Sequence, residues 1–382
     1  MKIGILTYHR SINYGAFLQA YCLSKYVKHV VGDEVEVEII DYTSKISEKQ
    51  YNKPLFHGDN RKNEWKKRIC FERCRSVLPL SKESLCSDDM LEVEQFLQRQ
   101  NYALIIVGSD EVWKVDGIRG FPTAYWLNFD LKHCEKISYA VSSRTAIEKI
   151  NQEKKNYICS AVKQFRYLGA RDQMSIDLIH KLCGKTMELN CDPAFLIPFR
   201  FDKIEYKKRL YKKYRIKENV KLLGVMISEQ KIITKIHQKF GGKYQVVAMF
   251  DSHDDADINM IGITPFEWIK VIGCLDFLIT DRFHATVFAM KMGVPFLSIE
   301  TYDTKENSKL YYLLNSNELE SHYLVYHAGN RIYDEILNAI EILSERDERD
   351  LLSHALEREK KKSDGFRREL LTVVRNNLME GY

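Results

Sequence analysis

Twice in this chain a short apolar run leads through a helical stretch into a second apolar run. In "KIGILTY" (2–8), "YGAFLQAYCLSKYVKHV" (14–30) and "EVEVEIIDY" (34–42) the apolar spacing passes from strand to helix and back. A helix between two strands joins them in parallel, and parallel sheets are covered by helices on both faces. The order resumes at "KLLGVMIS" (221–228), "EQKIITKIHQKF" (229–240) and "YQVVAMF" (244–250). An α/β fold in two domains is therefore expected. Strands at 102–108, 136–142, 166–170 and 187–190 and helices at 88–99 and 146–164 fill out the first domain. In the second, "TPFEWIKVIG" (264–273) opens with a capping box of Thr264 and Glu267 around Pro265. Residues 191–209, with two prolines and a charged stretch, read as a linker, and the chain after 331 reads as helical. The expected domains are 1–196, with a basic insertion at about 45–85, and 197–345, followed by a helical segment, 346–382.

No apolar run approaches the roughly 20 residues that cross a bilayer. "MKIGILTYHR" enters a strand at once, without the apolar core and cleavage site of a secretory signal. A cytoplasmic protein is expected. Nine cysteines without CxxC spacing read as reduced, structural thiols, and no metal site is expected. Residues 51–75 carry eight Lys/Arg against three Asp/Glu, an excess equal to the net charge of +5 of the whole chain. That stretch reads either as a solvated helix face or as a patch for an anionic surface, such as the inner membrane leaflet or a lipid diphosphate. Nucleic acid is not an expected partner, because the rest of the chain is balanced and holds no recognition motif.

Ligands of open parallel sheets bind beyond the carboxyl ends of the strands. Three turns sit there: "YHRSINYGA" (8–16), "GSDEVWK" (108–114) and "TDRFHA" (280–285). The first has one glycine where a dinucleotide site needs three, and no Walker A sequence exists, which disfavours NAD, FAD and P-loop chemistry. Gly15 is either a plain turn glycine or a point of close ligand approach, with Asn13 and Tyr14 beside it. The third turn sets Asp281, Arg282 and His284 between an apolar strand and a helix. A helix start is electropositive, so cations there cost about 0.3–1 kcal/mol when exposed. Two readings remain open: Arg282 paired with Asp281, or an anion held by the helix N–H groups, Arg282 and His284 together.

The motifs "GILTYHRSINYGAFLQAYCLSKYV", "LIIVGSDEVWK", "ARDQMS", "CDPAFL" and "ITDRFHATVFAMKMGVPFLSI" occur in an order that resembles the polysaccharide pyruvyl transferase family, over most of residues 3–300. The resemblance implies a GT-B-like fold: two Rossmann-like domains facing a central cleft, with C-terminal helices packing back on the N-terminal domain. It implies transfer of a pyruvyl group from phosphoenolpyruvate to a sugar as a cyclic ketal, with no cofactor beyond that donor. The family's Arg-x-His donor element matches Arg282 and His284. A first-domain arginine that assists is assigned to Arg171. A donor-site histidine of one branch has no clear counterpart, and Ser142, Ser143 or Arg144 takes its neighbourhood.

Histidine suits the general acid that protonates C3 of the donor, and His284 is assigned that role. Asp110 is the expected base for the sugar hydroxyl, the other reading being a helix cap. Asn13, Tyr14, Gly15 and Trp113 are placed on the acceptor side, and Trp113, Tyr125 and Trp126 offer rings for sugar stacking or for the core. The expected acceptor is a surface or capsular glycan linked to polyprenyl diphosphate, met at the inner membrane face. A GT-B glycosyltransferase using a nucleotide sugar is the alternative.

Overall fold

A strand covered on both faces must be apolar along its length, and the computed structural model places the apolar runs in two parallel sheets. It describes residues 1–51, 61–217, 219–300, 308–325 and 330–379. The chain divides into two units, Met1–Pro54, Ser76–Ile197 and Glu359–Tyr382 forming one, and Leu55–Arg75 and Pro198–Arg358 the other. The basic insertion, assigned by sequence to the first domain, is thus shared between them; its residues 52–60 lie outside the described residues.

The first unit begins β1 (Lys2–Leu6), α1 (Tyr14–Val31), β2 (Glu36–Thr43) and α2 (Lys45–Tyr51). The basic helix α3 (Arg61–Arg75) follows and belongs to the second unit. The chain then returns through β3 (Leu80–Cys86), α4 (Met90–Gln100), β4 (Leu104–Val107), β5 (Glu135–Ser138) and α5 (Gln152–Lys163). A short pair, β6 (Gly169–Ala170) and β7 (Glu188–Leu189), brackets α6 (Gln173–Cys183). The main sheet runs β3-β2-β1-β4-β5, parallel throughout, with Ile3 opposite both Val37 and Leu104. Its helices stop and start where the sequence supplies caps. Asn13 accepts from the N–H groups of Gly15 and Ala16 at the head of α1, and Gly32 at φ +80° ends it.

The second unit runs α7 (Lys203–Tyr214), β8 (Lys221–Met226), α8 (Gln230–Phe240), β9 (Tyr244–Ala248) and β10 (Ile258–Asn259). Next come α9 (Pro265–Cys274), β11 (Phe277–Thr280), α10 (Phe283–Met292) and β12 (Phe296–Glu300). It ends with α11 (Lys309–Asn315), β13 (Tyr323–Val325) and α12 (Asn330–Glu345). The sheet order is β10-β9-β8-β11-β12-β13, again parallel. The capping box of α9 forms, with Thr264 and Glu267 satisfying each other's backbone N–H groups. Residues 203–209, the end of the stretch read as linker, instead open the helix α7, started by Asp202, which accepts from the Glu205 N–H at 2.9 Å. α13 (Arg349–Lys361) then carries the chain to α14 (Asp364–Met379), which packs on α1 of the first unit. There the buried Phe366 ring lies 4.3 Å from that of Tyr139, and the Tyr139 and Ser363 hydroxyls are 2.8 Å apart.

The carboxyl ends of β1 and β2 are tied by one carboxylate. Asp41 accepts from His9 Nε2 at 2.8 Å and from Arg10 Nε and Nη2 at 2.8 and 2.7 Å. Burial by itself would raise the Asp41 carboxyl, but the hydrogen bonds from His9 and Arg10 outweigh it and hold the group well below the usual carboxylate range. A carboxyl depressed by folding stabilises the protein above its unfolded pKa of about 3.9, and that contribution fades as pH falls toward the folded value. Asp41→Ala is therefore expected to lower the unfolding free energy by roughly 2–4 kcal/mol at pH 7. The gap between wild type and variant should narrow when urea unfolding is repeated below about pH 4. A gap independent of pH would contradict the assignment.

Candidate functional site

In the first unit, the loops at the carboxyl edge are held by buried polar contacts. Gln19 on α1 donates to Thr7 Oγ1 at 2.9 Å and accepts from the Ser109 N–H and hydroxyl at 3.2 and 2.7 Å, joining the loops after β1 and β4. Gly108 sits at φ +130°, and a Cβ there would lie 1.9 Å from the Tyr139 carbonyl oxygen, so no other residue fits. Asp110 follows at φ +85°, a strained setting for a residue with a side chain, and points its carboxylate at Arg171 (3.3 Å).

Arg171 also pairs with Asp192 at 2.9 Å, and its side chain is only 2% exposed. Burial alone would lower this guanidinium, but Asp110 and Asp192 outweigh it and push it above the usual arginine value. With two carboxylates on it and almost no exposed surface, Arg171 positions Asp110 rather than presenting a free fork to a donor. Ser142 donates its N–H to the Asp110 carbonyl at 2.9 Å, and its buried hydroxyl has no hydrogen-bond partner among the described residues. Ser143 contacts the Ser175 hydroxyl through both its N–H (2.8 Å) and its own hydroxyl (3.2 Å).

The acceptor-side expectations fare differently. Trp113 is fully buried: its Nε1–H donates to the Tyr125 carbonyl at 2.9 Å, and its ring stacks on Trp126 at 4.8 Å with Phe165 on edge. It offers no face to a sugar. Tyr14 and Gly15 are buried in the first turn of α1, and the Asn13 side chain is engaged as that helix's cap. His9 and Asp41 went unrecognised in the sequence. His9 stood in a quoted turn, but its partner lies 32 residues on, at the end of the neighbouring strand.

In the second unit, β11 delivers the chain to the N-terminus of α10, which no side chain caps. Arg282 occupies the capping position, and its guanidinium turns back to Asp281, with Nε 2.8 Å from Oδ1. The first of the two sequence readings, the pair with Asp281, is thus present. It does not close the site. The Arg282 side chain remains 39% exposed, with Nη2 3.4 Å from the Ser228 hydroxyl and 3.8 Å from Asp251. His284, half-buried one position into the helix, meets the Phe283 ring edge-on at 5.5 Å.

The insertion adds a second cation. Lys67 of α3, placed by the sequence among surface charges, is buried, with Nζ 4.4 Å from the Phe250 ring centre and 3.5 Å from the Phe250 carbonyl. The Arg282 guanidinium lies 4.4 Å from the centre of the same ring. Burial pulls the Lys67 ammonium below the usual lysine range, opposed by Glu64 and Asp251. Arg282 and Lys67 thus share one aromatic ring at a helix N-terminus, with Asp281 and Asp251 beside them, and a small anion that displaced Asp281 from Arg282 would meet the guanidinium and the helix N–H groups.

Solved structures with the same architecture include a putative UDP-N-acetylglucosamine 2-epimerase from Listeria monocytogenes. It has a TM-score of 0.56 at 11% identity, over 99% of this chain and 97% of that one. The UDP-GlcNAc 2-epimerase of Methanocaldococcus jannaschii gives 0.54 at 12% identity, over 91% and 93%. HepE from Anabaena, in complex with UDP-glucose, gives 0.52 at 12% identity over the whole of both chains. The chain therefore has the GT-B fold that the motifs implied. Among curated proteins, none is significantly similar in sequence. The sequence profile described as polysaccharide pyruvyl transferase, however, matches residues 13–303, a span that takes in the Asp110 loop, the Arg171 cluster and the Arg282–His284 turn. The chain belongs to the polysaccharide pyruvyl transferase family.

Proposed function

We propose that the protein transfers a pyruvyl group from phosphoenolpyruvate to a sugar of a surface or capsular polysaccharide, or of its lipid-linked repeat unit. Proton transfer to C3 of the donor makes C2 electrophilic, and a sugar hydroxyl adds there. The C2–O bond to phosphate then breaks, and a second hydroxyl closes the ketal. Of the two hydroxyl protons lost, one matches the hydrogen gained at C3 and the other leaves with phosphate, so the reaction balances without an oxidant or a cofactor.

The observation that carries this reading is the pairing of Arg282 and Lys67 over Phe250 at the start of α10, in a member of this family. The donor carries a carboxylate and a phosphate, and a fork-shaped cation beside a point cation suits that pair of anions. His284, two residues after Arg282, is the proton donor. Asp110, fixed by Arg171, is the base for the acceptor hydroxyl. Ser142 and Ser143 line the loop that holds Asp110 and act through it.

The outer face of α3 supports contact with a lipid surface. Trp65 is 64% exposed, with Ile69 beside it and Lys62, Lys66 and Arg73 around them. An aromatic and an aliphatic residue set among cations suit the boundary of an anionic membrane, where a polyprenyl-diphosphate-linked acceptor would be met. No helix among the described residues is long and apolar enough to cross a membrane. A cytoplasmic, peripheral enzyme is the corresponding proposal.

Incubation with labelled phosphoenolpyruvate and the native glycan is expected to yield a labelled ketal and free phosphate, read by mass spectrometry. No phosphate release, together with turnover of a UDP- or GDP-sugar, would overturn the assignment in favour of a glycosyltransferase. Arg282→Ala should lower kcat/KM by about 10²–10³-fold and Lys67→Met by roughly tenfold or more, with unfolding midpoints checked alongside. For the membrane face, sedimentation with phosphatidylglycerol vesicles should fall for Trp65→Ala and for Lys66→Glu, and fall further with salt. Binding unchanged by both substitutions would remove α3 from that role.

A further inference from the structure

Beyond the carboxyl ends of β2 and β3, the first unit holds a second concave site that none of the roles assigned above uses. It is a cavity of about 180 Å³ lined by Tyr42, Asp88, Arg119, Phe121, Thr123 and Tyr125, among others. Two of its polar atoms lack hydrogen-bond partners among the described residues. The Thr123 hydroxyl has no hydrogen-bond partner, although that residue is only 7% exposed, and neither has the buried Nε of Arg119. The Arg119 guanidinium lies over the Tyr8 ring, 3.9 Å from its centre, and its Nη2 donates to the Tyr51 hydroxyl at 3.1 Å. No carboxylate among the described residues pairs with it. Leaving a buried donor or hydroxyl unmet destabilises a fold, so one that leaves two of them at one cavity is not built for packing alone.

The character of the walls selects the occupant. Tyr42 and Tyr125 form a buried aromatic floor, and Phe121, partly exposed, stands at the side. Arg119 and the exposed Asp88 contribute one charge of each sign, so the lining does not favour an anion over a neutral molecule. An acyl chain would leave the Thr123 hydroxyl and the Arg119 Nε–H desolvated and unmet. A molecule with an apolar face and a rim of hydroxyls satisfies all of them, because hydroxyls accept from Arg119, donate to Asp88 and do either with Thr123. The cavity also adjoins the loop that carries Asp110. Tyr8, under Arg119, donates its hydroxyl to the Glu111 carbonyl at 3.3 Å.

We infer that this cavity is a subsite for one neutral pyranose ring of the acceptor glycan, with Phe121 against the ring's apolar face and Thr123, Arg119 and Asp88 on its hydroxyls. The inference rests on the pyruvyl-transfer reading for the word acceptor, but not for the chemistry of the pocket. It replaces Trp113 with Phe121 as the stacking residue.

The test is ligand-observed NMR titration of the full chain with the methyl α- and β-pyranosides of glucose, galactose and mannose, without phosphoenolpyruvate. At least one should bind the wild type. Thr123→Val, which removes only the hydroxyl, should raise its Kd about fivefold, and Thr123→Ser should restore it. Phe121→Ala should weaken binding as well, while the thermal shift produced by phosphoenolpyruvate stays at the wild-type value in all three variants. Failure of all six glycosides to bind, or equal binding by wild type, Thr123→Val and Phe121→Ala, would overturn the inference. If the pyranosides behave as expected while phosphoenolpyruvate neither binds nor reacts, the sugar subsite stands and the pyruvyl-transfer reading falls instead.

Discussion

The start of α10 is a place where like charges accumulate. The helix dipole is positive there, Arg282 sits on the capping position, and α3 sends Lys67 to the same aromatic ring. The terms differ in size. An exposed charge of the wrong sign at a helix end costs up to about 1 kcal/mol, whereas taking an ammonium out of water costs several. Lys67 is therefore the expensive element, and the depressed proton affinity of its ammonium is the sign of that cost. Asp281, Asp251 and the Phe250 face offset part of it. In the proposed function an acidic donor would add its negative charge to these partners, and its binding would be favoured by both cations.

The first unit solves a different problem with the same parallel-sheet geometry. The loops at its carboxyl edge are fixed by buried polar ties. Gln19 joins two loops, Asp41 joins two strands and Arg171 holds Asp110 and Asp192 together. Removing one member of such a tie exposes the other to an unpaired burial, so the network is rigid as well as costly to disturb. Arg119 stands apart from these because, among the described residues, its charge meets tyrosines and no carboxylate.

The alternation of strands and helices was legible in the sequence because both sheets are buried and their strands are continuous apolar runs. What escaped it lacked that signal. β3 lies at a sheet edge and is largely exposed, so it offers neither an apolar run nor a clean alternation. α7 buries only Leu210 among many lysines, and its charged stretch passed for a linker. At the site, Arg282 and His284 were visible from local electrostatics alone, since a cation at a helix start is a local conflict. Arg171 was visible as a residue but not as the centre of an ion-pair cluster, because Asp110 lies 61 residues before it and Asp192 21 after. Lys67 looked like one more surface lysine. Its ring partner lies 183 residues further along, and no spacing rule connects them.

Where Arg282 points when the donor is present decides whether the start of α10 is the donor site. A crystal structure of the protein soaked with phosphoenolpyruvate measures this directly. Density for the donor is expected at the start of α10, with the guanidinium swung from Asp281 onto the donor's carboxylate or phosphate and Lys67 within reach of the other anion. Clear density for Arg282 still folded on Asp281, with the donor bound elsewhere or absent at saturating concentration, would contradict it.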